Sequence, residues 1–445
     1  MTRLEPEQVE NPRVGFISTR IAGTDGVSLE IGKWEQIFER NGVECFFITG
    51  ESDRPAKRTA LIESLHFNYA PIKKITDQAF GSELRTSELT QHIVEYAKPM
   101  KHAIIEAIDR FRLDAIIAEN CLTIPMNLPL GVALVQLIQE IGIGCLAHHH
   151  DFYWERDRFL VNCVNDIINY AFPPPLPQIQ HVVINSLAGE EFSRRTGLSC
   201  RIIPNVMDFA SPPAPPDDYA RSFRHQIGLA DEDILILQPT RVVERKGIEH
   251  SIELIRRLDP EHAKLIITHA IGDEGDEYAK YIQEFADLLG VRMHFVDAWI
   301  AESRGTAADG SRLYTLDDVY SQADLVAYPS EYEGFGNAFL EAVYHKCPVL
   351  CNRYAIYRTD IEPCGFNTIL FDGFLREETI DHVRKTLSDE SYRQEMVEHN
   401  YQVASRFFGY HVVEDEVRSL FTRPQNVYRW LARTRHGTNS RQIEP

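Results

Sequence analysis

Nowhere in the chain does an apolar run approach the roughly 18 residues that a membrane-crossing helix needs, so no transmembrane segment is expected. The first residues, MTRLEPEQVENP, are polar and acidic and lack the apolar centre of a secretory leader, which predicts a cytoplasmic protein without stable membrane association. Basic charge is also scarce: 46 Lys and Arg stand against 66 Asp and Glu, a formal net charge of −20. That balance argues against nucleic acid or an anionic membrane surface as the main partner, because both reward dense Lys/Arg patches. Paired cysteines are missing too. The eight cysteines are scattered, several inside apolar runs such as VECFFI and CPVLC, as buried free thiols would be. Cys347 and Cys351 are spaced C-x3-C, but no second pair completes a tetrahedral zinc set. There is no repeat at solenoid periods, and the one biased tract is FASPPAPPDD.

What is present is a chain of 445 residues, 44% hydrophobic, long enough for two or three domains that each bury a core. Short apolar runs alternate with amphipathic segments from residue 13 onward. RVGFIS, ECFFIT, DAIIAE, GCLAHH, HVVINS and RIIPN read as strands, with VSLEIGKWEQIFERNG as a helix between the first two. Such alternation belongs to α/β proteins with a parallel, helix-covered sheet. The proline-rich run 209–218 cannot join a strand ladder and is expected to act as a linker. After it the pattern restarts with the strands DILILQPT, KLIITHA, RMHFVDA, LVAYPS and PVLCNR and the helices GIEHSIELIRRL, DEYAKYIQEFADLLG and NAFLEAVYHK. The expected organisation is therefore a Rossmann-like domain over 1–208, the linker, and a second Rossmann-like domain over 219–408. Helices over 409–445, including the amphipathic NVYRWLARTR, would pack back toward the first domain. Two doubly wound sheets facing across a cleft would place their ligand-binding strand ends there.

PSEYEGFGNAFLEA, residues 329–342, lies between a strand and a helix expected to begin near Asn337. Gly334 and Gly336 let backbone pass close to a ligand, and the N–H groups at the helix start favour phosphate oxygens. Glu333 and Glu341 have seven residues between them, and an acid in a phosphate-binding turn is awkward unless it accepts hydrogen bonds from sugar hydroxyls. In QPTRVVERKGIEHSIELI, Arg241 and Lys246 flank a strand-end loop, where their charges could stabilise a diphosphate leaving group. A solvated basic loop and a capped helix with solvated acids are the plainer readings of the same residues.

Together, RVVERKG and ADLVAYPS…YEGFGNAFLEA resemble the donor half of retaining GT-B glycosyltransferases, in particular glycosyltransferase family 4, and RIIPNVMDF resembles that family's segment leading into its second domain. The resemblance covers nearly the whole chain. It implies that Glu333 holds donor-sugar hydroxyls, that the amides of Gly334, Phe335, Gly336 and Asn337 approach sugar and phosphate oxygens, that Glu341 holds the ribose, and that Arg241 and Lys246 bind the diphosphate. IAGTDGVSLE resembles the family's first glycine loop, with Gly26 near phosphate or acceptor. The implied function is a retaining transfer of glucose or mannose from a nucleotide diphosphate sugar, such as UDP-glucose or GDP-mannose, to a small soluble, anionic acceptor touched by Asp25, Arg156 and Tyr354. No metal or other cofactor is obligatory in this reading, a divalent cation could stimulate, and an oligomer is compatible. One departure stands out: where the family has paired small residues after the PVLCN strand, this chain has RYAIYRTDIEP. That segment tilts the resemblance toward compatible-solute synthases of the mannosylglucosylglycerate kind. AESRGTAADGSR, residues 301–312, is expected as a surface insertion, with a lid as the alternative reading. A sugar-nucleotide 2-epimerase that does not hydrolyse its substrate, or a noncatalytic sugar-nucleotide sensor, are the alternatives.

AHHHDFYWER puts three histidines at a strand end. Alternation sends His148 and His150 to one face and His149 to the other, which argues against a three-histidine metal site. The resemblance implies one cleft-facing histidine, His150, with Asp151 fixing its tautomer; His149 is the alternative register.

Overall fold

The apolar runs form two separate parallel sheets in the computed structural model, which describes residues 12–23, 25–269 and 277–414. In the first unit, β1 (Arg13–Ser18), β2 (Glu44–Thr49), β3 (Thr59–Leu61), β4 (Ala115–Glu119), β5 (Gly144–His149), β6 (Ile179–Val183) and β7 (Cys200–Ile202) stand in the order β3-β2-β1-β4-β5-β6-β7. Every residue of β4 and β5 is buried, as expected where helices cover both faces of a parallel sheet. The order reverses between β1 and β4, and Ser18 Oγ donates to the Glu119 carbonyl (3.2 Å) at that seam. Open α/β sheets take ligands just beyond the carboxyl ends of strands at such a reversal.

The second unit repeats the plan. β8 (Ile234–Gln238), β9 (Ala263–Ile267), β10 (Met293–Phe295), β13 (Leu325–Tyr328), β14 (Val349–Asn352) and β15 (Ile369–Phe371) are ordered β10-β9-β8-β13-β14-β15, with the reversal between β8 and β13. The remaining strands, β11 (Gly305–Thr306) and β12 (Arg312–Leu313), form an antiparallel hairpin of their own. The chain passes between units at Asn205–Val206 and again at Tyr410–His411, so the proline-rich run 209–218 lies within the second unit. It is fastened there: Tyr401 and Tyr344 hydroxyls donate to the carbonyls of Phe209 (2.8 Å) and Ser211 (2.7 Å). The helix expected in NVYRWLARTR lies outside the described residues.

Local chemistry explains where the elements stop. The run HVVINS yields only Val183 as its last strand residue, because the Asn185 side chain accepts from Ala188 N (2.7 Å) and starts the helix Ser186–Thr196. The 301–312 insertion is pinned by Arg304, which pairs with Asp217 (2.7 Å) and Asp318, while the Tyr219 hydroxyl donates to the carbonyls of Gly305 and Leu313 (both 2.9 Å). All eight cysteines are free thiols, five of them buried. No helix among the described residues is long and apolar enough to cross a membrane.

Candidate active site

At the strand reversal of the second unit, two loops bring opposite charges together. The loop after β8 carries Arg241, Arg245 and Lys246; the loop after β13 carries Glu333. Lys246 and Glu333, each about nine-tenths buried, form an ion pair, and Arg245 Nη1 approaches the other carboxylate oxygen at 3.4 Å. Burial opposes charge on Glu333, but the Lys246 ammonium and the arginine beside it win and hold the carboxyl below its ordinary range. Burial also works on Lys246, and with the charges of Arg245 and Arg241 it lowers the amine from its ordinary value despite Glu333. Two cations, Lys246 and Arg245, thus face one carboxylate, and Arg241 adds positive charge beside Lys246. The walls of the site are close-packed. Gly247, at φ +58°, lies where an added Cβ would meet the Pro329 carbonyl at 2.7 Å, so the two loops can approach only through a glycine.

The loop after β13 runs into the helix Asn337–Tyr344, headed by Gly336 with no side-chain cap. A helix start whose cap residue offers no side chain is a ready seat for anionic oxygens. Gly336 has φ +128°, and a Cβ there would come within 2.3 Å of the Tyr354 hydroxyl. Tyr354 corrects one expectation. It is 3% exposed and donates to the Phe335 carbonyl (2.8 Å), so it props the glycine loop from beneath and presents no surface to an acceptor. Its neighbour Tyr357 is likewise buried, bonded to Thr368 Oγ1 at 2.6 Å; Arg358 alone of the bulky residues here is exposed. Glu341, half-buried one turn into the helix, accepts from the Tyr320 hydroxyl (2.9 Å).

At the strand reversal of the first unit, a second polar cluster is built around Glu119, the last residue of β4. Its Oε2 lies 3.0 Å from His148 Nδ1 and 3.2 Å from His150 Nε2, so alternate residues at the end of β5 converge on one carboxylate. Burial would raise the Glu119 carboxyl, but the two histidines outweigh it and hold it at about 2. For His150 burial would remove the charge, yet the bond to Glu119 and the charges of Glu119, Glu30 and Asp151 raise the imidazole above its ordinary value. His149 points to the opposite face, where its Nε2 meets His181 Nδ1 (2.8 Å) among Phe152 and Phe192, and burial drives it well below the ordinary value. His150, at the strand edge, is therefore the histidine of the three that reaches solvent appreciably, with its side chain 11% exposed.

The partner expected for His150 was Asp151; the structure gives Glu119 instead. Asp151 turns to Arg156, whose Nε donates at 2.6 Å, and to Asn120 Nδ2 at 2.8 Å. Arg156, expected at the acceptor, is thus already paired. Asp25, also expected there, caps the helix Gly26–Arg40 by accepting from Val27 N (3.2 Å) and Ser28 N (3.3 Å), and pairs with Arg20 (3.0 Å). Gly26 opens that helix with nothing within 4 Å of an added Cβ. Glu119, His148 and His150 are the one group among the described residues whose side-chain atoms lie close enough together for a metal ion, a proximity that histidine spacing alone did not reveal. Here each nitrogen is turned onto the carboxylate as a hydrogen bond. Sequence reading also missed Arg245, although it stands in the same RVVERKG run. Glu119 had a signal as well: an acid closing an otherwise apolar strand, DAIIAE, must find a buried partner.

Comparison with known proteins agrees with this architecture. The family described as "Glycosyl transferases group 1" matches residues 310–403. Mannosylglucosylglycerate synthase of Petrotoga mobilis is 31% identical over 389 residues, 80% of this chain and 86% of that protein. The enzyme of the same name from Thermotoga maritima is 30% identical over 436 residues, 91% of this chain and 98% of that protein. Among solved structures, Anabaena HepE in complex with UDP and glucose superposes with a TM-score of 0.61 at 16% identity, over 93% of this chain and all of that one. With two parallel Rossmann-like units and relatives matched along nearly their whole length, the chain belongs to the group 1 glycosyltransferases of GT-B fold.

Proposed function

We propose that this protein is a retaining hexosyltransferase that moves glucose or mannose from a nucleotide diphosphate sugar to a hydroxyl of a small soluble acid. The observation that carries the donor half is the excess of cations around Glu333. Lys246 and Arg245 face one buried carboxylate, with Arg241 adding charge beside Lys246, next to a helix start whose cap residue has no side chain, and a diphosphate is the anion that would balance them. In this reading Lys246 and Arg241 bind the diphosphate and Glu333 accepts hydrogen bonds from sugar hydroxyls. The amides from Gly334 to Asn337 meet phosphate and sugar oxygens, and Glu341 receives the ribose. The acid acceptor is suggested by the relatives' name, which contains a glycerate.

Breaking the bond between the anomeric carbon and the diphosphate builds negative charge on the leaving oxygen. Cations fixed around that oxygen stabilise the transition state more than the ground state. Diphosphate is a good leaving group and needs no protein acid. In a front-face reaction the departing phosphate oxygen takes the acceptor hydroxyl's proton, and the acceptor oxygen bonds to the anomeric carbon on the face the phosphate leaves, so configuration is retained. His150 serves as a polar group offered to the substrate. A divalent cation is at most stimulatory.

A panel of UDP-, GDP- and ADP-sugars tests the reading, with slow hydrolysis and thermal stabilisation as readouts, followed by a screen of small hydroxy acids with the best donor. A transfer product with the donor's anomeric configuration is expected. An inverted product, or an epimerised nucleotide sugar formed without acceptor, would overturn it.

A further inference from the structure

Glu119 accepts from two rings through one oxygen, and this arrangement decides where the protons of His150 sit. Nε2 faces an ionised carboxylate at 3.2 Å and must carry hydrogen. The backbone N–H of His150 donates to Asn120 Oδ1 (3.1 Å), which fixes the residue at the strand end. Nδ1 is the nitrogen that Glu119 leaves unengaged. The charged groups bearing on the ring come from every element around it. Glu119 lies on β4, and Glu30 on the helix Gly26–Arg40, fully buried with Lys33 at 3.1 Å; Asp151 is next in the chain and is held by Arg156. His148, 4.5 Å away between ring centroids, shares the Glu119 oxygen. Three carboxylates thus face two fixed cations, Lys33 and Arg156. A second proton on one of the two rings closes the balance, and it falls to His150, because His148 Nε2 is buried with no hydrogen-bond partner for an added proton.

We infer that Glu119 is a positioning residue that keeps His150 an imidazolium at neutral pH, so that Nδ1 meets the substrate as an N–H donor and the ring does not act as a base. The inference rests on reading His150 as a substrate-facing group, but its central claim is measurable without turnover. It assigns His150 to hydrogen bonding with a hydroxyl or an anionic oxygen, in keeping with a reaction that takes its base from the leaving group.

The test is a pH titration of 15N-histidine-labelled full-length protein by NMR, with His150→Gln identifying the resonance. In the wild type, His150 should give up its second proton above the ordinary value of about 6.5. Glu119→Gln should move that midpoint down by at least one pH unit, and Glu119→Asp should restore part of it. Where transfer is measurable, the alkaline limb of the kcat profile should move with the NMR midpoint. Glu119→Gln should add no such movement in a His150→Gln background. A wild-type His150 that titrates at or below the ordinary value overturns the inference whether or not the variants fold. Stoichiometric zinc retained by the wild type and lost from Glu119→Gln would overturn it by making the trio a ligand set. A raised His150 midpoint in a protein that transfers no sugar would sink the proposed function and leave this inference standing.

Discussion

Replacing Lys246 by methionine strands Glu333 in a site where only Arg245, at 3.4 Å, still faces it. Removing one partner of a buried ion pair costs about 3–5 kcal/mol, and the remaining guanidinium places this case near the lower end, about 3 kcal/mol. Glu333→Gln leaves an amine already pushed toward its neutral form. It can shed its proton, so the cost is smaller, about 2 kcal/mol. If the two side chains are coupled by about 2 kcal/mol, the double variant loses about 3 kcal/mol, well short of the additive 5. In a unit of this size each kcal/mol moves the melting temperature by about 2–4 °C, so Lys246→Met should melt about 6–12 °C early in calorimetry. Binding should separate the two residues. A plain nucleoside diphosphate should lose at least tenfold in affinity with Lys246→Met and lose nothing with Glu333→Gln, which frees the cations from their internal partner. Both variants should slow sugar transfer at least tenfold, about 1.4 kcal/mol in the barrier. Additive stability losses within about 0.5 kcal/mol, or a Glu333→Gln protein that binds the diphosphate more weakly than wild type, would refute the reasoning.

Gly336→Ala should destabilise the second unit by more than about 2 kcal/mol, since it adds a Cβ at φ +128° against the Tyr354 hydroxyl. Pairing it with Tyr354→Phe should recover part of the loss in urea denaturation. Glu119 has its carboxyl lowered to about 2, so its stabilisation is complete above the unfolded value near 4.5 and disappears as pH falls from there toward 2. That loss is roughly 3 kcal/mol, and acid unfolding of Glu119→Gln should be correspondingly less steep. Arg304→Ala removes both ion pairs that hold the 305–313 hairpin; limited proteolysis should then cut within it, with donor binding unchanged.

Much of the architecture could be read from residue order because parallel strands buried on both faces are short, continuous apolar runs: RVGFIS, ECFFIT and GCLAHH match β1, β2 and β5 residue for residue. Edge strands such as β3 and β15, three residues each, carry too little pattern to stand out. In the second unit the sequence exposed Arg241, Lys246 and Glu333 because charge and glycine cluster in two short loops. The first unit was less legible. The partners of His150 come from β4 and from the helix Gly26–Arg40, distant in sequence, and only the folded sheet sets Glu119 beside it. Tyr354 misled for a related reason: aromatic residues in a polar-looking segment suggest a surface, but this ring has the underside of a glycine loop to fill.

Tyr354 and Gly336 compete for the same small volume. Neither can drift alone: any side chain at 336 strikes the phenol, and loss of the phenol leaves the Phe335 carbonyl without its donor. Divergence at these two positions should therefore be correlated. Chains that keep glycine and tyrosine together can be grouped by the shape of this loop, independently of the sugar they carry, and a laboratory library that randomises one position should randomise the other with it.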